Sequence, residues 1–285
     1  MEKPNSKTRS LWKSNKNLRL RKLYVLNSFV NIILMKIANE TIEIIEKQFA
    51  LDCNLEEAKE IRPGKVFLSK SKALPGARIV HKTDIFFRAI LFMGKAYLMA
   101  DESIYEGCEE LFKDASPDWF CKFPNLRILD CALQEFGYEI ADTHIYYLPD
   151  MDAQVIEESQ PVVWLSEEEI QNMKEVNPFT NAFCFSPTQP DIIGVGAIAD
   201  DGSFKGMSGA SLDGKYVRQI GIDVKEEYRG EGLATYLTTL MKQKLLSQGI
   251  LPFYGTSESH SLSRSVAIKS GFLPAWCEIY VKKSE

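Results

Sequence analysis

Gln219-Ile220-Gly221-Ile222-Asp223-Val224-Lys225-Glu226-Glu227-Tyr228-Arg229-Gly230-Glu231-Gly232-Leu233-Ala234 is the stretch on which the fold turns. Its first six residues read as an apolar strand, and a charged loop follows. Beyond two glycines, Leu233, Leu237, Leu240, Met241 and Leu245 keep the spacing of one helical stripe, and Gly249 marks the stop. A helix start leaves backbone N–H groups without intrahelical partners and carries partial positive charge. Glycines at Gly230 and Gly232 remove side chains that would hold an anion away, and Arg229 adds a positive charge. Strand, glycine loop and helix together make a candidate pyrophosphate cradle.

The segments on either side are well punctuated. Ile192–Ala199, Lys205–Ser211 and Tyr216–Val224 read as strands joined by turns at Asp200-Asp201-Gly202 and Asp213-Gly214, hence a meander. Ahead of it, Val162–Leu165 is strand-like and Ser166-Glu167-Glu168-Glu169 starts a short helix with acids in its first turn. Behind the long helix come a strand at Pro252–Thr256, a helix at Leu262–Ser270 closed by Gly271, and a last strand at Trp276–Val281. The expected order is β-β-β-α-β-α-β. In the first half, Ile42, Ile45 and Phe49 show helical spacing. Ile85–Phe92 and Ala96–Met99 read as a hairpin around Met93-Gly94-Lys95. Ser103–Phe112 and Asn125–Phe136 read as helices, and Ile140–Leu148 as a strand. Gly137-Tyr138 with Ile145-Tyr146 echoes Gly271-Phe272 with Ile279-Tyr280. That echo is either coincidence between two αβ units or the trace of a duplicated fold.

Two other glycine patterns are decoys. Gly194-Val195-Gly196-Ala197-Ile198-Ala199 spells a dinucleotide fingerprint, but a turn and a strand follow where a helix is required. Gly209-Ala210-Ser211-Leu212-Asp213-Gly214-Lys215 spells a nucleotide-binding loop up to Tyr216, which lacks the hydroxyl position that holds magnesium.

Arg229 to Ala234 fits the R-x-x-G-x-G/A signature of the GNAT acetyltransferases, and Ser263 to Phe272 resembles their S-x-x-V-A-x-K-x-G-F element. The resemblance covers roughly 160–285 and looks closest to a bacterial GNAT subfamily with an extra N-terminal domain. It implies an α/β fold with a mixed, mostly antiparallel sheet flanked by helices, and transfer of acetyl from acetyl-CoA to an amine of a small molecule. It implies that Ile222, Asp223 and Val224 pair with the pantetheine arm. The amides of Arg229, Gly230, Glu231, Gly232, Leu233, Ala234 and Thr235 would hold the pyrophosphate, and His260 and Ser263 would contact the cofactor. The family's usual tyrosine acid falls at Ala267 here, so Tyr254 or Tyr280 stands in as the candidate acid, with Glu258 as a candidate base. The alternatives are a different acyl-CoA or aminoacyl donor, or a catalytically weak CoA-binding sensor.

The composition sets the frame. The chain has 285 residues, 45% hydrophobic and 26% charged, with net charge −5. Eight Lys/Arg against Glu2 give residues 1–22 a charge of +7, which leaves −12 on residues 23–285. So acidic a body argues against nucleic-acid binding and slightly for a cationic acceptor. Six cysteines without a C-x-x-C pair read as buried thiols of a reducing compartment, the cytoplasm. Three histidines lack metal spacing, so no metal is expected. Residues 1–35 are read as a disordered or spurious extension, ahead of an interfacial anchor or a signal peptide, and stable membrane association is not expected. The expected divisions are an N-terminal α/β domain at 36–150, a possible degenerate copy of the second; a linker at 151–160; and the GNAT-like domain at 161–285.

Overall fold

The computed structural model describes residues 37–55, 63–79 and 85–284, so the 1–35 extension lies outside the described residues. In chain order the elements are α1 (Asn39–Asp52), β1 (Val66–Lys70), β2 (Phe87–Phe92), β3 (Lys95–Ala100), α2 (Tyr105–Phe112), α3 (Phe123–Gln134) and β4 (Tyr138–Pro149). The second half adds β5 (Val162–Ser166), α4 (Glu167–Asn172), β6 (Asp191–Ile198), β7 (Phe204–Ser211), β8 (Val217–Val224), α5 (Leu233–Ser247), β9 (Leu251–Ser257), α6 (Ser261–Lys269) and β10 (Phe272–Lys283). The meander, the long helix and the β-α-β ending stand where the turn residues put them.

Local chemistry explains the boundaries. Met93 (φ 49) and Gly94 (φ 71) both adopt left-handed backbone, which a two-residue turn between β2 and β3 requires. Ser166 caps α4 in a capping box: Glu169 N–H donates to its hydroxyl, and its own N–H donates to the Glu169 carboxylate at 2.8 Å. The sequence reading missed β1, an edge strand whose first four residues are all half-buried, so it shows no alternation.

The ten strands among the described residues form one sheet in the order β1-β3-β2-β10-β4-β9-β8-β7-β6-β5. The two halves therefore intercalate. β4 of the first half lies between β9 and β10, and β10 of the second half lies between β4 and β2. β10 is longer than expected because it pairs on both edges, along β4 from Phe272↔Pro149 to Lys283↔Tyr138 and along β2 from Trp276↔Phe92 to Tyr280↔Arg88. At its centre Glu278 faces His144, each seven residues beyond the glycines Gly271 and Gly137. The echoed strands are thus neighbours about a local two-fold, and the hydroxyls of Tyr146 and Tyr280 meet at 2.6 Å.

Four apolar clusters cover the sheet. On one face, α1 closes a core of Phe49, Ile90, Phe253 and Trp276, and the 179–183 segment closes a second with Leu165, Ile170 and Met207. On the other face, α2 and α3 cover Ala89, Leu98 and Ile279, while α5 and α6 cover Val195, Ile220, Tyr254 and Phe272. The expected linker lies against α5: the Gln243 amide bonds both the N–H and the carbonyl of Ile156, and Ser159 N–H donates to the Tyr236 hydroxyl. Cys53 and Cys108 are buried as expected, but Cys121, Cys131 and Cys184 are exposed and Cys277 is half-buried. No described helix is long and apolar enough to cross a membrane.

Candidate active site

β8 and β9 run parallel and pair from Val217↔Leu251 to Ile220↔Tyr254, where their register ends. Beyond that point β8 pairs with β7, from Gly221↔Gly209 to Val224↔Gly206. β9 meanwhile pairs with β4, from Gly255↔Tyr146 to Ser257↔His144. The sheet opens here into a V with its vertex at Ile220 and Tyr254, and one arm is formed by Ile222, Asp223 and Val224.

The glycine loop lies just past the end of that arm. Gly230 (φ 85) and Gly232 (φ 82) take left-handed backbone that side chains rarely adopt, and a Cβ on either would meet open space. The first helical bond of α5 runs from Tyr236 N–H to the Gly232 carbonyl at 3.0 Å. The amides of Leu233, Ala234 and Thr235 therefore point out of the helix start, and Gly232 provides no side-chain cap. Arg229 is exposed, and its Nε donates to the Val224 carbonyl at 3.0 Å, fixing the loop to the strand end. Glu231 is exposed on the same loop. Open glycines, outward amides and a parted strand edge fit a pyrophosphate with an extended arm attached.

Tyr254, at the vertex, is 3% exposed and faces α5 and α6. Its hydroxyl lies 2.9 Å from the Ser263 hydroxyl in the first turn of α6. Burial pushes this phenol up from its usual range, partly offset by the Ser263 bond, so it stays protonated near neutrality. Beside it, with ring centroids 6.4 Å apart, Tyr147 is fully buried, and its hydroxyl has no hydrogen-bond partner among the described residues. Such an orphaned hydroxyl suits a place where a ligand enters. Ala267, where the family's tyrosine would fall, is fully buried.

The remaining sequence candidates are scattered. Tyr280 lies on the opposite face, its hydroxyl held by Glu278 at 2.5 Å and by Tyr146. Glu258 and His260 are exposed on the loop before α6, and His260 forms no side-chain cap. Asp223 turns its carboxylate away from the arm, accepting from Asn181 N at 2.6 Å and from Asn181 Nδ2 at 2.8 Å. Cys277, which sits on the apolar strand β10 and is no candidate by sequence, is half-buried with its thiol pushed up to about 11 by burial, unsuited to nucleophilic attack. Sequence reasoning missed Tyr147 and Asn181, whose roles depend on pairings 107 and 42 residues away that no local pattern encodes.

No protein-family model matches the chain, and no curated protein does. Solved structures similar to it include a GCN5-related N-acetyltransferase from Kribbella flavida, 19% identical over 55% of this chain and 64% of that one, with a TM-score of 0.40. A GNAT-family acetyltransferase from Colwellia psychrerythraea is 14% identical over 51% and 57%, with a TM-score of 0.37. A tandem GNAT protein from the clavulanic acid biosynthesis pathway is 15% identical over 54% and 58%, with a TM-score of 0.39. The chain spans less than two-thirds of each of these three. With TM-scores of 0.40 or less, none of these likenesses bears on what the chain does. The second half itself is a mostly antiparallel sheet flanked by helices, with one parted parallel strand pair and a helix that starts on glycine.

Proposed function

We propose that the chain is a GNAT-type acyltransferase that moves the acetyl group of acetyl-CoA to an amine on a small molecule. The observation that carries this reading is the V between β8 and β9, closed at its base by Ile220↔Tyr254 and continued past Val224 by the helix start with its two left-handed glycines. In this reading the edge of Ile222, Asp223 and Val224 aligns the pantetheine arm, and the amides from Gly230 to Thr235 hold the pyrophosphate; the Arg229 N–H, expected among them, is instead taken by the Glu226 carbonyl at 3.2 Å. Acetyl-CoA supplies the thioester. Ser263 contacts the cofactor and holds the Tyr254 hydroxyl, and His260 lies at the rim. Amides near the vertex polarise the carbonyl, and Tyr254 gives its proton to the departing sulfur. Residues 161–285 form the catalytic unit. Residues 36–150 are a diverged copy, with no glycine-started helix of this kind among the described residues: β2 is parallel to β4 across β10, as β9 is parallel to β10 across β4.

The test is thiol release from acetyl-CoA against a panel of small amines. Turnover that falls in a Tyr254→Phe variant with unchanged cofactor affinity is the expected result. Tight acetyl-CoA binding with no turnover on any amine would leave a sensor and contradict the enzyme.

A further inference from the structure

On the α1 face, between the two cores, lies a cavity of about 210 Å³. Gln219 and Gly221 of β8 and Phe253 of β9 line it, so it reaches the sheet at the vertex of the V, on the side away from α5. The segment from Asn181 to Cys184 forms one wall, and Arg78 and Tyr146 form another.

The first wall rests directly on the strands. Gly194, Gly209 and Gly221 stand in register across β6, β7 and β8. A Cβ at Gly221 would lie 2.9 Å from the Ala182 carbonyl oxygen, and one at Gly209 would collide with the same oxygen. Asp223 fixes the wall at Asn181, and Asp191 fixes it by accepting from Phe185 N at 2.8 Å. Both carboxylates are therefore committed to holding the segment. Arg78 is committed too, since its guanidinium pairs with Asp52 at 2.6 Å and with Glu278.

Asp213 differs. Its Oδ2 accepts from Gln219 N at 2.7 Å and from Ser211 Oγ at 2.9 Å, while Oδ1 meets only Gln189 Nε2, at 3.3 Å, among the described residues. The carboxylate lines the cavity with one oxygen weakly engaged.

We infer that this cavity receives the acceptor as a small primary ammonium ion, and that Asp213 takes the proton that must leave before the nitrogen can attack. The inference rests on the acyltransferase reading of the V. The charged and titratable groups facing Asp213 are Arg78 from the 71–79 segment, Arg218 from β8, and Cys184 and Asp191 from the far wall. The charges of Arg78 and Arg88 are matched by Asp52 and Glu278, which leaves the cavity net negative. Burial pushes the Asp213 carboxyl up to about 6, against the bonds from Gln219 and Ser211 and the charges of Arg78 and Arg218. An acid in that range is an efficient base near neutral pH. The volume lies below the roughly 300–1,000 Å³ of pockets that take drug-sized ligands, so the acceptor is small. The ammonium gives one proton to Asp213 and so to solvent. The C–N bond forms as the C–S bond breaks, and Tyr254 protonates the sulfur. The second N–H proton, lost as the amide forms, replaces the one given by Tyr254.

n-Butylamine and 1,4-diaminobutane are the probes. Acetyl-CoA binding is measured first on the wild type and Asp213→Asn, with equal affinities expected because the cradle lies on the other face. The amide keeps an oxygen for the Gln219 and Ser211 bonds, so the variant folds. Each amine is then titrated into CoA-loaded protein, and thiol release from acetyl-CoA is followed from pH 5 to 9. The expected result is at least tenfold weaker amine binding and about a hundredfold slower release in Asp213→Asn, with loss of the wild-type rise near pH 6. Acetyl-CoA binding without amine binding in the wild type would overturn the inference and leave the cradle intact. So would an Asp213→Asn variant with full activity, or a Glu258→Gln variant that alone loses the pH-dependent limb. Asp213-dependent amine binding without acetyl-CoA binding would support the cavity and refute the acyltransferase reading.

Discussion

Glu278→Gln probes the contact that joins the two halves of the chain. Glu278, fully buried on β10, accepts from Arg78 Nη2, from Arg88 Nη2 at 3.0 Å, from Trp276 Nε1 at 2.7 Å and from the Tyr280 hydroxyl at 2.5 Å. Arg78 also sits among the rings of Phe49, Phe253 and Trp276 at 5.6 Å and Tyr146 at 6.0 Å. Glutamine keeps the shape but leaves two buried guanidinium groups with Asp52 alone, and it turns N–H groups toward donors. Removing one partner from such a network costs roughly 3–5 kcal/mol, a large part of the 5–15 kcal/mol that holds a typical domain. The pH dependence leads to a similar size. Burial would raise the Glu278 carboxyl, but Arg78, Arg88 and the Tyr280 hydrogen bond bring it from its usual 4.5 down to about 2. The native state thus keeps Glu278 charged where the unfolded chain binds a proton. Its contribution, on the order of 3 kcal/mol, is complete above pH 4.5 and is lost as pH falls toward 2. Asp213 acts in the opposite sense between 3.8 and about 6, and it is common to both proteins being compared. Urea unfolding of wild type and variant at pH 7 and at steps down to pH 2.5 is the assay. The expected result is a loss of about 3–5 kcal/mol at pH 7 that shrinks below pH 4.5. A loss under about 1 kcal/mol, or an unchanged acid limb, would refute the reasoning.

Three further outcomes are expected. Gly232→Ala places a side chain at φ 82, which costs about 1–2 kcal/mol, and should weaken acetyl-CoA binding measured by calorimetry. Tyr254→Phe should lower kcat by roughly a hundredfold with Kd for acetyl-CoA within about twofold, measured by thiol release and calorimetry. Gly221→Ala drives a methyl group into the Asn181 and Ala182 carbonyls, costing about 1–3 kcal/mol in urea unfolding, and should impair amine binding more than cofactor binding.

What could be read from the sequence depended on how local its cause was. The hairpin at Met93-Gly94, the capped helix at Ser166 and the stripe of α5 are encoded within a few residues, and each formed as expected. The echo between Tyr146 and Tyr280 was visible as a spacing, but its meaning was not. That two 12-residue strands insert into each other's half is a pairing across more than a hundred residues. The decoy glycines have a similar explanation. Gly194 and Gly209 imitate nucleotide loops because the 179–185 segment must lie flat on β6 and β7, a contact invisible along the chain. For the same reason Glu258 stood out as a base in sequence, whereas Asp213 looked like an ordinary turn residue.

The measurement that tests the central claim most directly is calorimetric titration of acetyl-CoA into the wild type and into Arg229→Ala/Gly232→Trp, with both proteins shown to be folded by thermal melting. The account predicts one-to-one binding by the wild type and at least a hundredfold loss in the variant, since the indole would fill the open space at the helix start. Equal binding by both, or none by folded wild type, would contradict it and leave the glycine loop as no more than the turn that begins α5.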